Sequence, residues 1–154
     1  MTPEAEREAG GSPAAGRLRL EILTIERQLF DAEVSMVVAP GADGVVGILP
    51  HHQPMLTALE HGELVIRVEG EQDRYVAIGG GLMQVLPDHV VVLADRAEHA
   101  AEIDLELAEA AHRRAQETLE RGPTGIDLGH AHDALRHSAT RLAVARRHHG
   151  RSGR

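Results

Sequence analysis

The stretch ELVIRVEGEQDRYVAIGGGLMQVLPDHVVVLAD, residues 63–95, decides the fold. In its first segment Leu64, Ile66 and Val68 fall on one face of an extended chain, with Glu63, Arg67 and Glu69 among those opposite. That is the two-residue period of a half-buried strand. RYVAIG, GLMQVLP and HVVVLAD follow at short spacing, divided by Gly, Pro and Asp. Upstream, LRLEIL (18–23) alternates and then slips phase at Ile22–Leu23, the mark of a bulge, and VSMVVAP (34–40) ends at a proline. Short strands with frequent turn signals predict an all-β sandwich or barrel. No helical pattern separates them, which argues against a parallel α/β sheet.

From about Arg96 the period changes. EIDLELAEAAHRRAQETLERG is rich in Ala, Leu, Glu and Arg, with Asp104 placed to cap a helix and Glu106 and Glu109 near its positive end. GPTG (122–125) stops it, and a second helical stretch follows. Ile103, Leu107, Ala111, Ala115 and Leu119 form a stripe on the first helix; Ala131, Leu135, Ser138, Leu142 and Ala145 form one on the second. Two such helices with a short connector predict an antiparallel hairpin. Its seam is mostly alanine, so it buries little, and the arm is expected to be weakly held and movable. The expected boundaries are a disordered leader over 1–16, a sandwich over 17–97, a helix-turn-helix arm over 98–148 and a basic tail over 149–154.

Bulk properties remove several function classes. The chain has no Cys, so disulfides, thiolate metal sites and cysteine nucleophiles are excluded. The net charge of −8 disfavours nonspecific nucleic-acid binding. Residues 17–95 carry five Arg against twelve acids, whereas 130–154 carry six Arg against Asp133 alone. A basic arm on an acidic body seeks an acidic surface. No apolar run reaches the roughly 18–20 residues that cross a bilayer, and the acidic N-terminus lacks the apolar core of a targeting peptide.

The histidine-rich stretch GVVGILPHHQPMLTALEHGEL (44–64) invites a metal reading through His51, His52 and His61. Adjacent histidines on a strand point to opposite faces, and no carboxylate stands at a familiar ligand offset. A histidine-metal hydrolase is therefore disfavoured. Ser35 and Ser138 lack a nucleophile elbow, and Gly79-Gly80-Gly81 precedes a strand rather than a phosphate-holding helix. The glycines read instead as a turn or a close strand approach. The histidine stretch reads as a structural corner. Gly44 and Gly47 permit positive φ there, and Pro50 and Pro54 fix the chain.

GILPHHQPMLTAL (47–59), followed by Gly62, resembles the signature of the epsilon subunit of F-type ATP synthases. VAIGGGLMQVLPDHVVVLADRAE (76–98) matches at the corresponding distance, and EIDLELAEAA (102–111) and ALRHSATRLAVA (134–145) resemble its two C-terminal helices in order. The resemblance covers about residues 17–148. His51 stands where that family usually has Gly, Gln84 where Glu is common, and Leu82 where an aromatic is frequent; His52 matches the usual histidine, with a structural or interface role.

The resemblance implies a sandwich of about ten strands in two sheets followed by a helical hairpin. It implies a non-catalytic rotor component that joins the gamma subunit to the c-ring and helps couple proton flow to ATP synthesis. It would lie peripherally at the cytoplasmic face of a bacterial plasma membrane, and its helices would restrain hydrolysis by reaching the alpha/beta crown. Arg136, Arg141, Arg146 and Arg147 are the candidates for the acidic C-terminal segment of beta. Some relatives bind regulatory ATP. Here Glu98, Ile103, Asp104, Ala108 and Arg141 match that motif, while Leu107 and His137 replace two of its arginines. No other cofactor is expected. The competing reading is a generic sandwich module whose hairpin docks another partner, and co-purification of gamma separates the two.

Overall fold

The computed structural model describes residues 13–153. The expected leader lies outside them except for its last residues, where Arg17 N–H donates to Ala14 O and Ala14 N–H to Glu33 Oε1. Eight strands follow: β1 (Leu18–Leu23), β2 (Gln28–Val34), β3 (Met36–Gly41), β4 (Gly44–Ile48), β5 (Met55–Arg67), β6 (Arg74–Val85), β7 (His89–Ala94) and β8 (Ala97–His99). A 3-10 turn at Ala100–Glu102 leads to α1 (Leu105–Glu120) and α2 (Ile126–Ser152).

The expected β-sandwich with a C-terminal hairpin is present, but with eight strands rather than about ten. Hydrogen bonding runs continuously in the order β2-β1-β7-β6-β5-β3-β4, with β8 on the free side of β6. The difference lies in β5 and β6, of 13 and 12 residues, each serving both layers. The first part of β5 pairs with the last part of β6, which also pairs with β7; the remainder of β5 pairs with β3 and with the start of β6, which holds β8. Between these halves the pairing skips from Leu59↔Gly81 to His61↔Gly79. Two strands that the turn signals would split are thus two that bend.

Leu18, Leu20, Ile22, Met83, Val85, Val90 and Val92 of one layer meet Val37, Ile48, Leu64, Ile66, Val76 and Ile78 of the other in a single buried cluster. The slip at Ile22–Leu23 is a register shift in the β1–β2 ladder. One pair, β1 with β7, is parallel; the others are antiparallel.

The glycine triplet makes the bend. Gly80 and Gly81 have φ of 87° and 132°, which side-chain-bearing residues rarely adopt. A Cβ on Gly81 would stand 2.2 Å from Leu93 O, so the β6–β7 approach also requires its absence. At the histidine corner Gly44 has φ 126°, whereas Gly47 lies inside β4 without positive φ and instead leaves room for Met36. The left-handed residue of that corner is His51, at φ 67°, where the resembling family usually has Gly. Histidine is among the residues enriched in this conformation, and His51 N–H donates to Pro87 O at 2.7 Å, which secures the turn.

Gly81→Ala combines backbone strain with a clash and is expected to destabilise the sandwich by about 3 kcal/mol. Gly44→Ala meets nothing within 4 Å and carries backbone strain alone, about 1–2 kcal/mol. Urea denaturation of the two variants checks the difference; equal losses would show that the β6–β7 approach is not the constraint.

Candidate functional site: the seat of the helical hairpin

α1 starts where Asp104 accepts from Leu107 N–H at 3.0 Å, the cap expected from sequence. It ends at Arg121, whose N–H returns to Glu117 O, and Gly122 and Gly125 turn the chain at φ 71° and 62°. The helices pack side by side through Ala108, Ala115, Ala131, Ser138, Leu142 and Ala145. His112 Nδ1 lies 3.2 Å from Ser138 Oγ, and Arg146 pairs with Glu109 across the same interface. The expected α2 stripe faces α1. On α1, however, Leu107 is 64% exposed and Ala108 takes the buried place. Ala108 is buried in a cluster it shares with Leu142, Val144 and Ala145 of α2 and Val65, Tyr75 and Ala77 of the sheet.

α2 has a second working edge, which apolar periodicity did not reveal. Asp133, His137, Arg141, Val144, His148 and Arg151 recur at three- and four-residue intervals, with Arg136 and Arg147 beside them. This edge lies along the outer face of the half-sheet made by β5, β6 and β8. His61 Nε2 donates to Asp133 Oδ1 at 3.0 Å, and Arg96 Nη1 lies 3.4 Å from Asp133 Oδ2. Arg136 meets Glu60 at 2.5 Å. Arg141 donates twice to Glu98, at 2.7 and 3.2 Å. Arg147 meets Glu63 at 3.2 Å, and Arg151 reaches the Tyr75 hydroxyl. From Asp133 to Arg151 the edge is about 27 Å long.

Beneath it lies a second buried cluster, separate from the sandwich core: Val65, Tyr75, Ala77, Ala100, Ile103, Ala108, Leu142, Val144 and Ala145. The seat is therefore not alanine alone. Val144 and Tyr75 add apolar surface that the seam reading did not contain. α2 also runs to Ser152, so residues 149–152, read from sequence as part of a tail, continue the helix.

The five residues matched to the nucleotide motif are only partly converged. Ile103 and Ala108 are buried in the second cluster, Asp104 is committed to its cap, and Glu98 and Arg141 are committed to each other. Next to them a cleft of about 600 Å³ opens between α1, α2 and the sheet, lined among others by Arg96, Arg114, His130, His137 and Arg141. Among the four arginine candidates for an acidic partner, Arg136, Arg141 and Arg147 face acids of the sandwich and Arg146 faces an acid of α1. His52 is half-buried in the histidine corner, its Nδ1 2.7 Å from Gln53 O. Among the described residues no group of three His, Cys, Asp or Glu is placed to hold a metal, and no helix is long and apolar enough to cross a membrane.

A different feature lies on the other layer. Leu56, Leu82 and Leu93 are 70%, 48% and 53% exposed. Ala58 pairs with Leu82 and Leu82 with Leu93, so the three leucines form an apolar patch on the outer face of β5–β6–β7. Apolar residues on the polar phase of these strands were the signal that could have found it.

A rigid sandwich with a hairpin seated on one outer face and an apolar patch on the other is a two-sided platform. The beta-sandwich domain of the ATP synthase delta/epsilon chain matches residues 17–100, and the long alpha-helix domain of the same chain matches residues 101–146. An ATP synthase epsilon chain of Moorella thermoacetica is 42% identical over 83% of this chain and 96% of that relative. One from Herpetosiphon aurantiacus is 46% identical over 84% of this chain and 94% of that relative. In solved structures, a chain of the Euglena gracilis mitochondrial ATP synthase OSCP/F1/c-ring assembly shares the fold, with TM-score 0.74 and 21% identity over 93% of this chain and 89% of that one. The chain belongs to the ATP synthase delta/epsilon-chain family and is of the epsilon kind, a non-catalytic subunit of the F-type synthase.

The seat should be sensitive to pH through His137. Burial first, then Arg96, Arg141 and His61, hold its imidazolium form below the ordinary value of 6.5. A depressed folded value means the detached or unfolded chain takes up the proton first. The contribution of His137 to docking is fully present above about pH 6.5 and is lost as pH falls toward the depressed value. Asp133 does not obscure this window. Burial pushes it up, but the hydrogen bond from His61 and the charge of Arg96 outweigh that and keep it below 3.8, so its contribution is lost only in stronger acid. Between pH 7.5 and 5.5 the protection factors of α2 amides, which remove the base-catalysed slowing of intrinsic exchange, should fall in the native chain and much less in His137→Gln; equal responses would remove His137 as the cause.

Proposed function

We propose that this subunit is a component of the central rotor stalk that joins gamma to the c-ring, and that its hairpin is a movable brake on ATP hydrolysis. The observation that carries this reading is the polar seam between α2 and the sheet. Its arginines face carboxylates of the body, and the apolar cluster beneath it is separate from the sandwich core. Lifting the hairpin exchanges one set of acidic partners for another and leaves the sandwich interior closed. An acidic segment of the beta subunit would complete the exchange, with Arg136, Arg141, Arg146 and Arg147 as its contacts.

The leucine patch of β5–β6–β7 suits a constant partner rather than an intermittent one, because exposed apolar surface is favourable only when it stays covered. We assign it to gamma. The histidine corner with His52 lies at one end of the platform and is assigned to the stalk's lower contacts with the c-ring. The protein would then sit at the cytoplasmic face of a bacterial plasma membrane, held there by the complex.

Regulatory ATP is a second reading, favoured by the cationic lining of the cleft beside Arg141. Phosphates need fixed, charge-assisted donors. With Leu107 and His137 at two motif positions, and with Arg141 engaged by Glu98, binding is expected to be weak.

Two measurements test these readings. In a reconstituted complex, a chain ending at residue 100 should keep its place in the stalk and raise ATP hydrolysis several-fold over the full chain. Unchanged hydrolysis would sink the brake. Calorimetry with Mg-free ATP should show no micromolar binding to the full chain; a micromolar Kd would establish the nucleotide site despite its missing arginines.

A further inference from the structure

The last turns of α2 grip the sheet differently from the rest of the seam. Arg147 and Arg151 stand one helical turn apart and both lie over the ring of Tyr75, their guanidinium carbons 5.5 and 5.1 Å from its centroid. Arg151 also donates to the Tyr75 hydroxyl, and Arg147 Nε lies 3.2 Å from Glu63 Oε2. Tyr75 is the chain's only tyrosine and is 5% exposed. Its β5 neighbour in the ladder is Val65, two residues from Glu63, so both receptors lie on the face that α2 covers. These contacts begin just past residue 146, where the match to the family's helical domain ends.

Position gives the grip its leverage. α1 is tied to the body through the Ala100–Glu102 turn, and the other end of α2 is tied to α1 by the 121–125 connector. Among the described residues, the last turns of α2 are joined to the sheet through side chains alone. Helix ends ordinarily fray. Here the fraying end carries two cations over a buried aromatic ring, within the range of cation–π attraction.

We propose that Arg147 and Arg151, closed on Tyr75 and Glu63, form a clasp that sets how readily the hairpin leaves the sandwich. Opening starts at Arg151 and proceeds through Arg147 toward Val144 and Arg141. A partner that captures the arm must first open the clasp, and an acidic segment does so by offering these two arginines replacement carboxylates. The clasp rests on the brake reading only for its consequence in the complex, since its closure is a property of the chain alone.

The chain reports on its own clasp, because Tyr75 is its single tyrosine and it has no Trp. Acrylamide quenching of tyrosine emission is measured on the full chain, on Arg147→Ala/Arg151→Ala and on Arg113→Ala, an exposed-arginine control on α1. The double variant should be quenched more efficiently, and its α2 amides over residues 138–146 should exchange about ten-fold faster, while sandwich amides such as those of Leu20 and Val92 keep their rates. A chain ending at Arg146 should behave alike. Quenching and exchange no different from the Arg113→Ala control overturn the clasp. If opening rises but hydrolysis by the reconstituted complex does not change, the clasp stands and the brake reading fails.

Discussion

The ion-paired edge between α2 and the β5–β6–β8 face is the interaction on which the rest of the molecule turns. It joins a sandwich closed around its own core to a hairpin whose buried residues share a second cluster with the outer face of the sheet. An interface made only of leucines would weld them. One made only of exposed ion pairs, each worth at most about 1 kcal/mol, would leave them apart. The seat combines a small apolar cluster with a row of charges, and the charges give it specificity of register as well as adhesion. Asp133, Arg136, Arg141 and Arg147 meet His61, Glu60, Glu98 and Glu63 in an order that a slide of one helical turn would scramble.

Much of the sandwich was legible because alternation in strands reports burial directly. Leu64 and Ile66 point inward as the two-residue period requires, and the phase slip at Ile22–Leu23 is a real shift of register. The strand count was not legible, because Gly79-Gly80-Gly81 reads as a break when it is a bend within one strand. The α1-facing stripe of α2 was visible as apolar spacing. The sheet-facing edge was hidden because its residues are Asp, His and Arg, which at the same spacing look like a solvated face. Only the acids opposite, brought in from β5 and β8, reveal them as a contact, and that is tertiary information.

Leu107 and Ala108 show the same limit at a single position. Counting by fours assigns the buried place to the larger side chain, yet in the structure the neighbouring Ala108 is the one buried. Of the residues that resemble a nucleotide motif, some already have partners within the chain. Asp104 caps α1 and Glu98 holds Arg141, so two of the five are already employed in keeping the arm folded. Sequence similarity carries the identity of a side chain; only coordinates show what it is already bonded to.

The two long bent strands have a mechanical consequence. β5 and β6 each run from the leucine patch on one layer to the seat of the hairpin on the other, without a chain break or a noncovalent boundary between. A twisting load applied at Leu56 and Leu82 travels along two covalent backbones, cross-linked by their own ladder, to Glu63 and Tyr75. A sandwich of separate sheets would shear between its layers under such a load. Here the two layers are joined through two continuous backbones instead.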